Sequence, residues 1–277
     1  MPLAATAEVV SAAASRRGAV GAFNVIMLEH AEAVVAGAEA AGHAVLLQIS
    51  QNAVAYHGGR VAPLAAACRA LAADAAVAVG LHLDHVEDEA LAAAAAPTGF
   101  GSLMFDASRE PFAENVARTR DVARRAHLAG LWVEAELGEV GGKGGAHAPG
   151  ARTDPDEAVL FVAETGVDAL AVAVGSQHAM TGRDAVLDLE LLARLHAAVP
   201  VPLVLHGSSG VPDDALAHAV DRGVVKVNVG TALNVALTAE VRRQLAADPD
   251  VTDPRRYLAG ARDAVAAEVA RLLRVLG

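Results

Sequence analysis

Eight short apolar runs, each followed by an alanine-rich amphipathic stretch, constrain this chain more than any other feature. The runs cover residues 20–25, 45–49, 77–83, 102–105, 131–137, 169–174, 202–205 and 224–229. Runs of this length, rich in Val and Leu and separated by helical stretches, read as buried parallel strands. The helical stretches fall at about 29–41, 61–73, 87–96, 111–129, 155–165, 188–198, 212–222 and 231–246. Thr153-Asp154-Pro155 sets a capping side chain before a proline at the first helical position. Gly42, Gly99, Gly130, Gly166 and Gly223 stand where helices should stop. Eight such repeats predict an α/β fold, the (β/α)8 TIM barrel. An open doubly wound sheet is the alternative, and a count of eight strands fits it less well. Residues 1–277 are expected to form a single barrel domain with a helical extension from about 253 to 277. In that tail Val265, Val269, Leu272, Leu273 and Val275 would pack on the barrel or on a neighbouring subunit.

Bulk properties exclude several function classes. The formal net charge of −11 argues against nucleic-acid binding, which needs a basic surface. Few aromatics are present to stack on bases. No apolar run reaches the roughly 18 residues needed to cross a membrane. The first residues carry no basic segment, so no signal peptide is expected. The single cysteine, Cys68, excludes an internal disulfide framework and fits a reducing cytoplasm. Its surroundings, Leu64-Ala65-Ala66-Ala67-Cys68, read as helix core rather than as the setting of a nucleophile.

Barrel enzymes carry their chemistry at the C-terminal ends of the strands, so those ends bear on function. They read Phe23-Asn24, Gln48-Ile49-Ser50, Asp84-His85, Phe105-Asp106, Glu134-Ala135-Glu136, Gly175-Ser176-Gln177-His178, His206-Gly207-Ser208-Ser209-Gly210 and Asn228-Val229-Gly230-Thr231. Every end is polar. One polar end is ordinary, whereas eight on one rim describe a site. His85, His178 and His206 would converge there, and three neutral imidazoles with one open position are the ligand set of a catalytic zinc site. Asp84 stands beside one of these ligands, where a general base is useful.

Each feature has a plainer explanation. A lone histidine is more often a hydrogen-bonded structural residue than a ligand, and this holds for His30, His43, His57, His127, His196 and His218. Strand alternation turns His82 to the same face as Asp84, while His85 begins the loop. Glu136 and Asp106 fit solvated strand ends or an alternate metal position equally well. Gly207-Ser208-Ser209-Gly210 and Gly230-Thr231 each precede a helix, on the two strands whose loops usually bind phosphate in this fold. The glycine-rich stretch 138–150 is too glycine-rich to pack and reads as a mobile active-site loop.

Leu83-Asp84-His85, Val133-Glu134-Ala135-Glu136-Leu137-Gly138, Leu205-His206-Gly207-Ser208-Ser209-Gly210 and Lys226-Val227-Asn228-Val229-Gly230-Thr231 resemble the signatures of the class II, zinc-dependent ketose-bisphosphate aldolases. The similarity runs through nearly the whole chain. It implies a metal-dependent carbon–carbon lyase that reversibly cleaves a phosphorylated ketose to dihydroxyacetone phosphate and an aldehyde. By position, His85, His178 and His206 match the Zn2+ ligands and Asp84 the acid/base residue. Glu136 and Asp106 match groups at the metal's alternate position, and Asn228 the residue that contacts the enediolate. Gly207, Ser209, Gly230 and Thr231 match the phosphate loops, and Asn24 and Ser50 line the same pocket. The resemblance also implies a monovalent cation (Na+ or K+) near the phosphate and a homodimer or homotetramer.

Three positions depart from the family pattern. Lys143-Gly144-Gly145 follows Gly141-Gly142 where an acid is usual, which leaves Glu139 as the nearest acid. Ala179 replaces a glycine after the second histidine, and Ala232 an acid after Thr231. Two other functions compete: a lyase acting on a different or non-phosphorylated carbonyl substrate, and a non-catalytic subunit that kept the barrel. Asp84 and the three histidines argue against the latter. A lysine Schiff base is the other solution to aldol chemistry, but Lys143 and Lys226 are the only lysines, one in the glycine loop and one in the last strand with its direction open.

Overall fold

Eight parallel strands close on themselves in chain order in the computed structural model, which describes residues 3–138, 151–176 and 180–277. They are β1 (Val20–Asn24), β2 (Val45–Ser50), β3 (Val79–Val86), β4 (Ser102–Phe105), β5 (Trp132–Leu137), β6 (Ala169–Val172), β7 (Leu203–Leu205) and β8 (Val224–Val229). β1 pairs with β8 from Val20↔Lys226 to Phe23↔Val229, which closes the barrel and removes the open-sheet alternative. The helices are α1 (Thr6–Ser15), α2 (Leu28–Ala41), α3 (Gln51–Tyr56), α4 (Ala62–Asp74), α5 (Glu89–Thr98), α6 (Phe112–Leu128), α7 (Pro155–Thr165), α8 (Leu189–Ala198), α9 (Asp213–Asp221), α10 (Thr231–Ala247) and α11 (Pro254–Leu276). Cys68 is buried in α4, and burial pushes its thiol up to about 12.

Strand alternation separates two environments. Phe23, Leu47, Leu81, Leu103, Val133, Leu170, Leu203 and Val227 point outward and join one apolar cluster beneath the helices. The neighbouring positions point into the barrel. There the interior is apolar towards the N-terminal end and polar towards the other. Val20, Ala22 and Leu46 pack against Val9, Val10 and Ala13 of α1. Gln48, His82, Asp84, Glu134, Glu136, Lys226 and Asn228 are all buried.

Helix α1 was not expected from the sequence. It closes the N-terminal end: Ala4 N–H donates to the Val79 carbonyl at 2.9 Å, and Thr6 Oγ1 lies 2.6 Å from Ser102 Oγ. The short helix α3 was not expected either, and the Ser50 hydroxyl caps it by accepting the Ala53 N–H at 3.2 Å.

The C-terminal tail is one helix, α11. It buries Ala261, Val265, Val269, Leu272, Leu273 and Leu276, while Val275 stays half-buried. It packs tightly on Gly37 of α2, where an added Cβ would lie 2.5 Å from the Ala266 carbonyl oxygen and 2.7 Å from Val269 Cβ. Gly37→Val is therefore expected to lower unfolding stability by about 1–3 kcal/mol through overpacking. A urea midpoint equal to the parent's would show that α11 does not dock there.

Candidate functional site

The polar end of the barrel is built from six strands. β3 supplies Asp84 and His85, β5 supplies Glu134 and Glu136, β7 leads into His206, β8 supplies Lys226 and Asn228, and β1 with β2 supplies Asn24 and Gln48. β3 extends further than its apolar run suggests. Its register with β4 shifts between Leu83 and Val86, and His85 sits there at φ 47°. This irregularity lets two consecutive side chains, Asp84 and His85, both serve the barrel mouth. His85 therefore belongs to the strand rather than to the following loop.

The two described histidines of the set meet edge to face, with ring centroids 4.7 Å apart. His85 Nδ1 lies 2.8 Å from Asp106 Oδ2, and His206 Nε2 lies 2.8 Å from Glu134 Oε1. A carboxylate only accepts, so these nitrogens carry the protons. The opposite nitrogens, His85 Nε2 and His206 Nδ1, then direct their lone pairs at each other across 3.0 Å. Two lone pairs held this close call for a cation between them, which is the donor chemistry of a metal site. Asp84, His85 and His206 each place a ligand atom within 4.8 Å of the others, and His85, Asp106 and Glu136 form a second such group. Glu136 Oε2 lies 3.9 Å from His85 Nδ1 and 3.7 Å from His206 Nδ1. His178, the third predicted ligand, lies outside the described residues, as do Glu139, Lys143 and Ala179.

Asp84 is the hub of an amide cluster. Gln48 Nε2 donates to its Oδ2 at 3.3 Å, Asn24 Nδ2 to the same oxygen at 3.5 Å, and Asn228 Nδ2 to its Oδ1 at 3.3 Å. Gln48 Nε2 also donates to Asn24 Oδ1 at 2.8 Å, which orients that amide. Charge continues below this layer. Lys226 Nζ pairs with Glu134 Oε2 at 2.8 Å and donates to Asn228 Oδ1 at 2.6 Å. Burial alone would raise the Glu134 carboxyl, but the Lys226 ammonium and the His206 hydrogen bond outweigh it and hold the group well below the usual carboxylate range. Burial, assisted by Lys226, keeps the His82 imidazole neutral, and its Nδ1 lies 2.8 Å from Ser102 Oγ. Lys226 thus points into the barrel with its ammonium engaged, which disfavours a Schiff-base role.

The two glycine loops lie side by side. Ser208 Oγ donates to the Asn228 carbonyl, and Ser209 Oγ accepts the Ala232 N–H at 3.0 Å. Gly207 adopts φ 65°, and an added Cβ on Gly230 would lie 3.1 Å from Asn24 Oδ1. Thr231 begins the 17-residue α10. Gln48 and Glu134 stand among the polar strand ends but carry no role from the sequence, and the direction of Lys226 is open there. The alternate polar positions in Val133-Glu134-Ala135-Glu136-Leu137 and Val225-Lys226-Val227-Asn228-Val229 carried that signal.

Comparison with known proteins agrees with this geometry. Residues 4–277 match the family described as Fructose-bisphosphate aldolase class-II. The fructose-bisphosphate aldolase of Geobacillus stearothermophilus is 37% identical over 286 residues, covering 100% of this chain and 98% of that protein. That of Thermus caldophilus is 37% identical over 297 residues, covering 98% and 96%. Among solved structures, the YdjI aldolase of Escherichia coli K12 superposes with a TM-score of 0.85 at 31% identity, covering 99% of this chain and 97% of that one. A match that spans both the barrel and its polar rim carries more than shared topology, and the chain belongs to the class II fructose-bisphosphate aldolase family of metal-dependent carbon–carbon lyases.

Proposed function

We propose that this chain reversibly cleaves a phosphorylated ketose to dihydroxyacetone phosphate and an aldehyde, with zinc as its metal and Asp84 as general acid/base. The observation that carries this reading is the setting of Asp84. Its buried carboxylate is oriented by three side-chain amides and stands within 4.8 Å of the converging histidine nitrogens. His85 and His206, with His178 as the third ligand, would hold the cation, and an imidazole-rich set with an open position suits zinc. When bound, the cation supplies Lewis acidity, polarising the substrate ketone and offsetting the charge that develops on its oxygen.

The chain's own residues do the rest. Asp84 takes the proton of the C4 hydroxyl, the C3–C4 electron pair passes towards the ketone, and the aldehyde departs. Condensation reverses these steps, with Asp84 returning the proton. Asn228 presents its amide N–H to the enediolate oxygens. Gly207, Ser209, Gly230 and Thr231 hold the phosphate through backbone N–H groups and the start of α10. Asn24 and Ser50 line the same pocket, and Ser50 keeps its hydroxyl proton for a ligand while its oxygen caps α3. Asp106 orients His85, and Glu136 serves as the alternate metal position. Glu139 protonates the enediolate carbon in place of the acid that Lys143 displaces. A Na+ or K+ ion beside the phosphate, assembly as a homodimer or homotetramer, and a cytoplasmic setting complete the reading.

The test is a screen of phosphorylated ketoses, fructose 1,6-bisphosphate first, for triose-phosphate release. Release should disappear with a chelator and return with zinc. Release that survives metal removal would overturn the metal reading. Metal-replete enzyme that releases triose phosphate from none of them would move the assignment to a different carbonyl substrate, the reading that Lys143 favours.

A further inference from the structure

The barrel interior holds an ion pair that the reaction itself does not use. Lys226 Nζ and Glu134 Oε2 are 2.8 Å apart, and both side chains are 0% exposed. Such a pair is no better for stability than apolar residues of the same volume. Among the described residues, however, its other hydrogen bonds run to the site. Lys226 Nζ donates to Asn228 Oδ1 at 2.6 Å, and Glu134 Oε1 faces His206 Nε2 at 2.8 Å.

These contacts leave little choice to the groups they reach. An ammonium only donates, so the Asn228 oxygen must face Lys226 and its NH2 must face Asp84. The opposite flip would set an amide NH2 against the ammonium and an amide oxygen against the Asp84 carboxylate. A carboxylate only accepts, so His206 must carry its proton on Nε2 and present Nδ1 to His85 Nε2. Asn228 Nδ2 also lies 3.0 Å from His206 Nε2, so two donors meet when that nitrogen carries its proton, and the shorter, charged contact to Glu134 outweighs the amide and holds the proton there. Among the described residues the nearest other basic side chain, His82, stands with Nε2 4.0 Å from Glu134 Oε2, and its imidazole is neutral.

We infer that Lys226 and Glu134 are positioning residues. Together they select Nδ1 as the metal-ligating nitrogen of His206 and turn the Asn228 amide N–H towards the reacting oxygens. This rests on the metal-dependent aldolase reading above. It goes beyond that reading by assigning a task to two groups that touch neither metal nor substrate.

Two measurements test it. The first uses the metal-free parent protein and reads the His206 tautomer from imidazole 15N shifts. The Nε2–H form is expected, and a dominant Nδ1–H form would overturn the inference. The second uses Lys226→Met/Glu134→Gln, which removes both charges and leaves neither buried alone. Zinc affinity, read by chelator competition without substrate, should fall by about 10–100-fold. kcat should fall with KM little changed, because Asn228 acts on charge that develops only in the transition state. A folded double variant with parental zinc affinity and parental kcat would show that the pair only fills the barrel. If the double variant does not fold, the tautomer in the parent still decides. A parent protein that binds no zinc would overturn the functional reading instead, and the tautomer measurement is independent of it.

Discussion

Replacing Asp84 with alanine is expected to slow carbon–carbon cleavage by about 10²–10⁴-fold, the usual cost of losing a positioned acid/base. The fold should persist. Asp84 lies at the mouth end of β3, and its loss removes one acceptor shared by Gln48, Asn24 and Asn228. Gln48 keeps Asn24 Oδ1 as an acceptor, and Asn228 keeps its Lys226 contact. The destabilisation should therefore stay near the roughly 1–3 kcal/mol of one buried polar group left unsatisfied. The bound metal should remain, since the histidine nitrogens are oriented by Asp106 and Glu134 rather than by Asp84. A sharper signature follows from the proposed division of labour. If Asp84 handles only the hydroxyl proton, Asp84→Ala should still exchange the carbon-bound proton of dihydroxyacetone phosphate with solvent. Cleavage of the ketose, followed in the same sample, should be nearly lost. Near-normal cleavage would move the acid/base role elsewhere, and equal loss of both reactions would show that Asp84 also serves the carbon proton or the metal.

Much of this was legible in the sequence because barrel strands advertise themselves. Runs such as Val45-Leu46-Leu47 and Ala169-Leu170-Ala171-Val172 are apolar on both faces, and the helices between them carry their own stop signals. The strand-end rule then gathered Asp84, His85, His206, Asn228, Asp106, Glu136 and Asn24 from six strands or their ends. What stayed hidden has physical reasons. Helix α1 has no side-chain cap at Ala5 and a mixed Ala/Val face, so nothing local marks it. Its stability comes from plugging the barrel, a long-range contact. The irregularity at His85 depends on how β3 and β4 register, which no short window reports. Glu134 and Lys226 lie within apolar runs, where a charged residue looks like an interruption. Only closure of β5 and β8 into the same barrel brings them together as an ion pair.

Replacing His206 with alanine should empty the metal site and abolish activity, and it should also weaken the fold. His206 is fully buried, so truncation leaves a cavity and takes the imidazole donor from Glu134. Unmet hydrogen bonding alone costs about 1–3 kcal/mol, and the lost packing adds to it. His85 offers the informative contrast. It is partly exposed and holds φ 47°, a conformation that strains any side chain but suits glycine. His85→Gly takes the imidazole donor from the buried Asp106 carboxylate, at about 1–3 kcal/mol, and relieves backbone strain of about 1–2 kcal/mol, which offsets much of that cost. The metal-free His85→Gly protein should therefore unfold near the parent's midpoint, whereas metal-free His206→Ala should unfold well below it. Both should lose zinc when equilibrated with a chelator and measured by elemental analysis. Full metal occupancy in either variant would show that the ligand set is wrong. A His85→Gly midpoint as low as that of His206→Ala would show that the strain at the β3 irregularity is not what its backbone angle implies.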